Sequence, residues 1–499
     1  MEIDVRERLR SGPSDELVSL VFEPAIRRDF EMGFQHLIDI NKAHVVMLCK
    51  QNLIVRDDAS AILGALERLE SGAYSLKDLD FAAEDLHFNV ETRVIQLAGA
   101  EIGGRMHMGR SRNDLHATMD RMMARVGILE VMDLLAELID AATKLASEHV
   151  DTVMTGYTHT QPAQPVSLGY YLCGVVEALK RDSTRLEAAY SNINRCPLGA
   201  GAMAGTGFPI DRSLVSELLG FDIPMPNSLD AVASRDWVSE ALAAVSILMT
   251  NISRFSYDLY IWSTDEFSYI EVADSLAAVS SIMPQKKNPI ALEHCKAKAG
   301  HVFGALVANL SCTKNTPFGH CRDISAESVT PLWTGLDETR AAIRLITGSI
   351  RTLTVNKDVM SSRARDNFST ATELADSLVR QFDMPFRIAH MIVAKVVSNA
   401  VGAGIRSDHI TPEMVDEAAV SVIGRPLGLS GEMLKQVMDP DLNMRIRSSL
   451  GGPAPTEVRA MLADDSRHLD EYRARIQARK KGLFDSGKRL DSEVSILSM

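Results

Sequence analysis

Between Gly127 and Val150 the chain reads GILEVMDLLAELIDAATKLASEHV, with Glu130, Asp133, Glu137, Asp140 and Lys144 three or four residues apart and apolar residues nearly everywhere between. That pattern predicts a long helix with one narrow solvated stripe. Ser167–Ile193, Leu229–Thr264, Ala291–Thr313 and Pro331–Thr354 read the same way. All are well above the usual mean helix length of about 11–12 residues. Five long helices, each apolar over most of its circumference, predict a bundle whose faces also meet other subunits. Glycine and proline gather between the helices. Cys196–Arg212 (CPLGAGAMAGTGFPIDR) and Asp274–Pro289, which ends in MPQKKNP, are expected loops. Shorter helical patterns flank the bundle. The expected division is an N-terminal helical domain at 1–110, a central bundle at 111–360 carrying the loop 274–289, and a C-terminal helical domain at 361–499. The tail from Asp470 onward reads as an exposed, charged helix with a loose end.

Composition sharpens this picture. A chain of 499 residues exceeds one hydrophobic core, so two or three domains are expected. Aromatics are only 5% while Ala, Leu, Val and Met are plentiful, which favours helices packed on helices and an all-α class. The formal net charge of -13 argues against a nucleic-acid partner but leaves room for a local basic site for an anionic metabolite. The six cysteines lack zinc-type spacing and read as reduced thiols of a cytosolic protein. The first ten residues, MEIDVRERLR, lack the apolar stretch of a secretory signal, and no apolar run is long enough for a membrane span. A cytoplasmic location is expected. There is no G-x-G-x-x-G after a strand, no G-x-x-x-x-G-K-[ST] and no H-E-x-x-H. Neither a nucleotide cofactor nor a metal is implied.

Three polar segments interrupt the pattern. In GRMHMGRSRNDLH (Gly104–His116), Ser111, Arg112 and Asn113 place a hydroxyl, a guanidinium and an amide in succession. That set suits a planar carboxylate; it equally suits a helix cap with solvated arginines. In TGYTHTQPAQP (Thr155–Pro165), Thr158 and His159 stand just before a Pro-bounded helix start. His159 can exchange protons near neutral pH, although a lone histidine there is more often structural. In SSIMPQKKNP (Ser280–Pro289), paired serines, two lysines and an asparagine share a loop between two prolines. Such a loop is usually solvated. Folded inward it could surround an oxyanion, where an ammonium about 4 Å away contributes roughly 4 kcal/mol at an effective dielectric near 20. That is about three powers of ten in rate.

At these segments the sequence resembles the fumarase/aspartase superfamily, and its argininosuccinate lyase-like branch in particular. The likeness continues through PLGAGAMAGTGFPIDR, NSLDAVASRDWVSEAL, TATELADSLVRQFDMPFRIAH and GGPAPTEV. The resemblance implies three mostly helical domains, a central five-helix bundle, and a homotetramer with a twenty-helix core whose active sites draw on three subunits. It implies a cofactor-free carbon–nitrogen lyase that eliminates an amine from an N-substituted aspartate and releases fumarate. By the same resemblance Ser280, with Ser281 as alternative, removes the Cβ proton, and Lys286 and Asn288 hold the aci-carboxylate that results. Met283 packs over the substrate. His159, oriented by Glu293, forms the acid relay. Ser111, Arg112, Asn113 and Thr158 hold the succinyl carboxylates, and His107 and Gln161 lie in matching motifs.

The chain departs from that branch where arginine should be read. His320 stands at a family tyrosine, Ser325 at a glutamine and Ser328 near a lysine, while Phe22-Glu23-Pro24-Ala25 replaces an Asn-Ala-Ser stretch and Val279 a glycine. Losing a lysine and a tyrosine from a carboxylate pocket costs several kcal/mol for a ligand with that group. An aminopolycarboxylate such as ethylenediamine-N,N'-disuccinate therefore fits better than argininosuccinate, with His320 and Arg322 as candidates for its distal succinyl arm. Argininosuccinate itself and an inactive structural oligomer of the same fold are the alternatives. The joint presence of Ser280, Lys286, Asn288, His159 and Glu293 weighs against the latter.

Overall fold

The computed structural model describes residues 11–498; the N-terminal segment read above for targeting lies outside them. Helices α1 (Glu23–Lys50), α2 (Arg56–Arg68) and α3 (Leu86–Ala98) precede the bundle. The bundle itself is α4 (Arg112–Glu148), a hairpin of β1 (Val153–Thr158) and β2 (Gln161–Ser167), α5 (Leu168–Ile193), α6 (Asp236–Trp262), α7 (Ile290–Thr313) and α8 (Thr330–Thr352). Among the described residues, β-structure is confined to four two-stranded ribbons. The all-α expectation holds.

The ends of these helices follow from local chemistry. Helix α4 begins fifteen residues before the apolar pattern does, because Ser111 and Asp114 form a reciprocal capping box that satisfies the first backbone donors. Ser167 caps α5 by accepting from Tyr170 N, and Pro331 opens α8 in its first turn. The expected helix Leu229–Thr264 is broken instead. A short helix, Ser228–Ala233, ends where Ser234 turns extended, and α6 starts anew at Asp236. The buried Arg235 guanidinium donates to the Ser234 carbonyl at 2.8 Å, fixing this corner. Two glycines let the helices approach closely. A Cβ on Gly127 would stand 2.8 Å from Leu336, and one on Gly335 would stand 2.7 Å from Leu242.

The five helices run up and down, so loops collect at two ends. At the first end, the start of α4 meets the glycine-rich loop: Asn113 Nδ2 donates to Ala202 O at 3.1 Å, and Asp114 accepts from Gly199 N and Gly201 N. At the second end, the hairpin meets the segment after α6 through a 2.9 Å hydrogen bond between the Tyr157 and Tyr269 hydroxyls. With 37 residues in α4 and 23 in α8, and a rise of about 1.5 Å per residue, these ends stand roughly 35–55 Å apart.

Residues after 360 do two different things. Helices α9 (Ala371–Phe382), α10 (Phe386–Gly402) and α11 (Pro412–Ile423) build a small core of their own, including Leu378, Ile392, Val396 and Val415. Helix α12 (Pro455–Ser498) instead returns to the main core, where Val458, Leu469, Tyr472, Ile476, Leu490 and Val494 are buried. The tail is thus not loose. Its charges hide an apolar stripe and pair with the bundle, as Arg475 does with Glu187 at 2.7 Å and Lys480 with Asp133. The opposite case is α7. Phe303, Val307 and Leu310 recur along one face and are 61%, 47% and 47% exposed, an apolar surface uncovered within one chain.

The packing of α12 makes a direct prediction. Tyr472 is fully buried and its hydroxyl has no hydrogen-bond partner among the described residues. Tyr472→Ala should therefore cost about 3–5 kcal/mol through cavity formation, and Tyr472→Phe should be close to neutral. Denaturant midpoints read both, and an unperturbed alanine variant would contradict the docked tail.

Candidate active site

The first end of the bundle holds the segment expected to read a carboxylate. Ser111 is committed as the cap of α4, with its hydroxyl accepting from Asn113 N and its own N–H donating to Asp114 at 2.9 Å. The capping reading of this residue is therefore correct, which leaves the rest of its hydroxyl for a ligand. Arg112 is engaged as well. Its Nη1 donates to Glu84 at 2.9 Å and Asp85 at 3.0 Å, and its guanidinium lies 4.2 Å over the Phe88 ring. These contacts aim the remaining guanidinium edge rather than leave it mobile.

Asp85 also accepts from His116 Nε2 at 3.3 Å. Burial would raise the Asp85 carboxyl, but the bond to His116 and the charges of His116 and His87 hold it well below the usual carboxylate range. For His116, burial works against charge, yet Asp85, Asp29 and Asp120 raise it above the ordinary histidine value. Sequence reasoning passed over His116 and Asp85. Four-residue spacing from Arg112 to His116 on a helix was the available signal.

His107 belongs to a buried cluster behind this segment. Its Nδ1 lies 3.2 Å from His87 Nε2, and both nitrogens lie 3.7 Å from Glu91. Two histidines and a carboxylate at this spacing could hold a metal ion, a grouping that linear spacing did not reveal. The surroundings oppose a cation. Burial and the adjacent Arg110 guanidinium push His107 down to about 4 and hold His87 well below the ordinary histidine value. As arranged, the cluster braces the Gly104–Ser111 turn from beneath, together with His44, whose Nε2 meets Met108 O at 2.8 Å.

His320 lies at the same end, half-buried, and is pushed down to about 4 by burial and by the charges of Arg235, Arg322, His116 and Arg112. Arg322 is exposed. Ser328 is fully buried and donates to Ile324 O at 2.8 Å, so it serves the chain rather than a site.

The second end holds the other two segments. His159 does not stand at a helix start: it and Thr160 form the two-residue tip of the β1–β2 hairpin, with His159 nine residues before the start of α5. Their φ values are 54° and 58°, a left-handed conformation that costs about 1–2 kcal/mol per non-glycine residue. Such a turn ordinarily takes Asn-Gly. Strain kept at an exposed histidine is a mark of function. Thr158 and Gln161 flank the tip as the last cross-strand pair.

The Ser280 loop forms a second hairpin, Ala278–Val279 pairing with Lys287–Asn288. Within it the Ser280 hydroxyl oxygen accepts from Ile282 N at 3.3 Å and Met283 N at 3.0 Å. Two backbone donors aimed at one oxygen favour its alkoxide. Ser281 and Met283 are exposed. Lys287 is spent on Glu271 and Asp274; among the described residues Lys286 makes no ion pair. Lys286, Asn288 and Glu293 line one cleft of about 550 Å³. No hydrogen bond or ion pair among the described residues joins His159 to Glu293.

The structure thus brings Ser111, Arg112, Asn113, His107, His320 and Arg322 to one end of the bundle. It brings Thr158, His159, Gln161, Ser280, Ser281, Met283, Lys286, Asn288 and Glu293 to the other. A pH measurement tests the first end. Because the Asp85 carboxyl is depressed in the fold, the stability it contributes is complete above its unfolded value of about 4 and is lost as pH falls below that. Asp85→Asn should lower stability at neutral pH and lose less than the wild type between about pH 4 and 2. Parallel unfolding curves would contradict the assignment.

Comparison with known proteins agrees with this geometry. A family described as Lyase matches residues 10–304, and one described as Argininosuccinate lyase C-terminal matches residues 368–444. Argininosuccinate lyase 1 of Shouchella clausii (strain KSM-K16) is 45% identical, covering 95% of this chain and 96% of its own. Argininosuccinate lyase of Methanosarcina barkeri (strain Fusaro / DSM 804) is 40% identical, covering 96% of each. The crystal structure of EDDS lyase in complex with formate superposes with a TM-score of 0.89 at 33% identity over 99% of both chains. A class II fumarase from Schistosoma mansoni shares the fold, with a TM-score of 0.68 at 18% identity over 82% of this chain and 90% of that one. On the strength of motif, fold and relatives together, the chain belongs to the fumarase/aspartase superfamily of lyases, in its argininosuccinate lyase-like branch.

Proposed function

We propose that this lyase-family enzyme eliminates an amine from an N-substituted aspartate, releasing fumarate. The observation that carries the reading is the Ser280 hydroxyl, half-buried and facing two backbone donors in a loop whose Lys286 and Asn288 open into the Glu293 cleft. As alkoxide, Ser280 takes the Cβ proton. The electron pair left behind delocalises into the neighbouring carboxylate as an aci-carboxylate, whose second negative charge Lys286 and Asn288 stabilise. That pair then forms the C=C bond as the Cα–N bond breaks. The nitrogen leaves with a proton supplied through His159; Glu293, which among the described residues makes no hydrogen bond to His159 within one chain, orients it across the assembled subunits. Among the described residues Ser281 has no comparable set of donors, which favours Ser280 as the base.

The same reading makes the active site a product of assembly. The succinyl-binding segment and the serine loop stand roughly 35 Å or more apart in one chain, far beyond the reach of one substrate. Different chains must supply the two ends. The uncovered apolar face of α7 provides the means, in keeping with a homotetramer around a twenty-helix core. No helix among the described residues is long and apolar enough to cross a membrane.

For the leaving amine, an aminopolycarboxylate such as ethylenediamine-N,N'-disuccinate is the first reading. It is supported by the positive surroundings of His320 and by the likeness to EDDS lyase. Argininosuccinate is the second, favoured by the 45% identity to a relative named for that activity. Fumarate absorbance with each substrate separates them.

Ser280→Ala should reduce fumarate formation at least about a thousandfold with unchanged assembly on a sizing column; full activity would remove Ser280 from the mechanism. Co-expressing Ser280→Ala with Asn113→Ala, each inactive alone, should restore part of the activity, since mixed assemblies contain sites with both residues intact. No recovery would place the whole site within one chain.

A further inference from the structure

The tip of the β1–β2 hairpin is poorly held by its own ladder. The register shifts between Gly156 and Tyr157, and Tyr157 then stands opposite Pro162, which has no N–H to donate. Beyond them comes the left-handed His159–Thr160 turn. A strained two-residue turn after a bulge needs support from outside the hairpin to keep one conformation.

Such a support lies two residues before His159, where the Tyr157 hydroxyl meets that of Tyr269 at 2.9 Å. Tyr269 is fully buried and rigidly mounted after α6. Its N–H donates to Trp262 O and its carbonyl accepts from Asn356 N, both at 2.9 Å. Phe267 packs against both rings, with centroids 5.8 Å from Tyr157 and 5.6 Å from Tyr269.

The direction of the hydrogen bonds follows from Asn367. Its Oδ1 accepts from Ser369 N, while its Nδ2 donates to Arg363 O at 2.6 Å and to Thr155 Oγ1 at 2.9 Å. The Thr155 proton is thus left for the Tyr269 oxygen, and the Tyr269 proton for Tyr157. Burial and Tyr157 raise the Tyr269 hydroxyl above the ordinary tyrosine range, so it stays protonated and able to donate.

We infer that Tyr269 is a positioning residue for proton delivery, its hydroxyl tethering Tyr157 so that the strained His159 tip stands where the leaving nitrogen takes its proton. The inference rests on the acid relay proposed above and names the group that holds it in place.

The test uses Tyr269→Phe in the full-length protein, which removes the hydroxyl and keeps the ring. Two substrates are compared: an N-alkylaspartate, whose basic amine must leave protonated, and an N-arylaspartate, whose weakly basic amine leaves with less help. For the N-alkyl substrate kcat should fall about tenfold with KM within about twofold, and for the N-aryl substrate kcat should fall much less. Each alkyl-to-aryl ratio is taken within one protein, so loss of folded material cancels. An equal fall for both substrates, or none, overturns the tether. Tyr157→Phe should show the same selectivity, and the double variant should lie within about twofold of either single one, because both substitutions break one bond. Losses that multiply overturn it. His159→Gln separates the tether from the relay and should show the same selective loss, larger in size. If His159→Gln slows both substrates alike, the relay fails and the tether with it; selectivity there but not in Tyr269→Phe removes the tether alone.

Discussion

A helix is a rigid spacer, and the 37 residues of α4 hold its two ends about 55 Å apart. Every polar segment of this chain is tied to one end of that spacer or the other. The glycine-rich loop, the Ser111–Asn113 turn and His320 hang from the first; the His159 hairpin and the Ser280 loop hang from the second. On the proposed elimination, which uses both ends, helices from separate chains lying side by side in opposite directions complete the site, and the exposed apolar face of α7 offers a surface for them to meet.

The two ends are built on different physical terms. At the first, a dense buried network does the positioning. Asp85 joins Arg112 to His116, Asp114 ties the start of α4 to Gly199 and Gly201, and the His87–Glu91–His107 cluster supports the turn from below. Few of these side chains can move without leaving a buried charge unpaired, a costly change. The second end is exposed and lightly held. The serine loop is a short hairpin carrying solvent-facing Ile282 and Met283, and His159 sits on a strained two-residue turn. On the proposed elimination, a rigid end holding the carboxylates and a lightly held, exposed loop bearing the base suit a reaction in which the anion is fixed before the proton is removed.

Sequence pattern determined a great deal here, because much of this fold is local. The five long helices, the glycine-rich loop and the all-helical class follow from 3.6-residue periodicity and from the placement of glycine and proline. The choice of Ser280, Lys286 and Asn288 follows from one contiguous motif, and that of Glu293 from the family resemblance. Where reading failed, the deciding physics was not periodic. Thr155–Pro165 became a hairpin because its cross-strand pairing outweighed the proline signals for a helix start. Leu229–Thr264 broke because a buried arginine captured a carbonyl at the corner. The charged tail packed because its few apolar residues, masked in composition by lysines, arginines and acids, fall on one side of α12.

Tertiary structure alone decided which groups share a field. No spacing in the chain brings His116 to Asp85, Arg235 to His320, or His87 to His107, since these pairs arise from separate helices and loops folded against each other. The same is true of the charge each carries: burial and facing groups set His320 low and His116 high, although the two residues are chemically identical. Sequence thus named candidate reacting groups, most of them in a motif that stays contiguous in space. The environment that selects a substrate is assembled across the fold, and only packing could specify it.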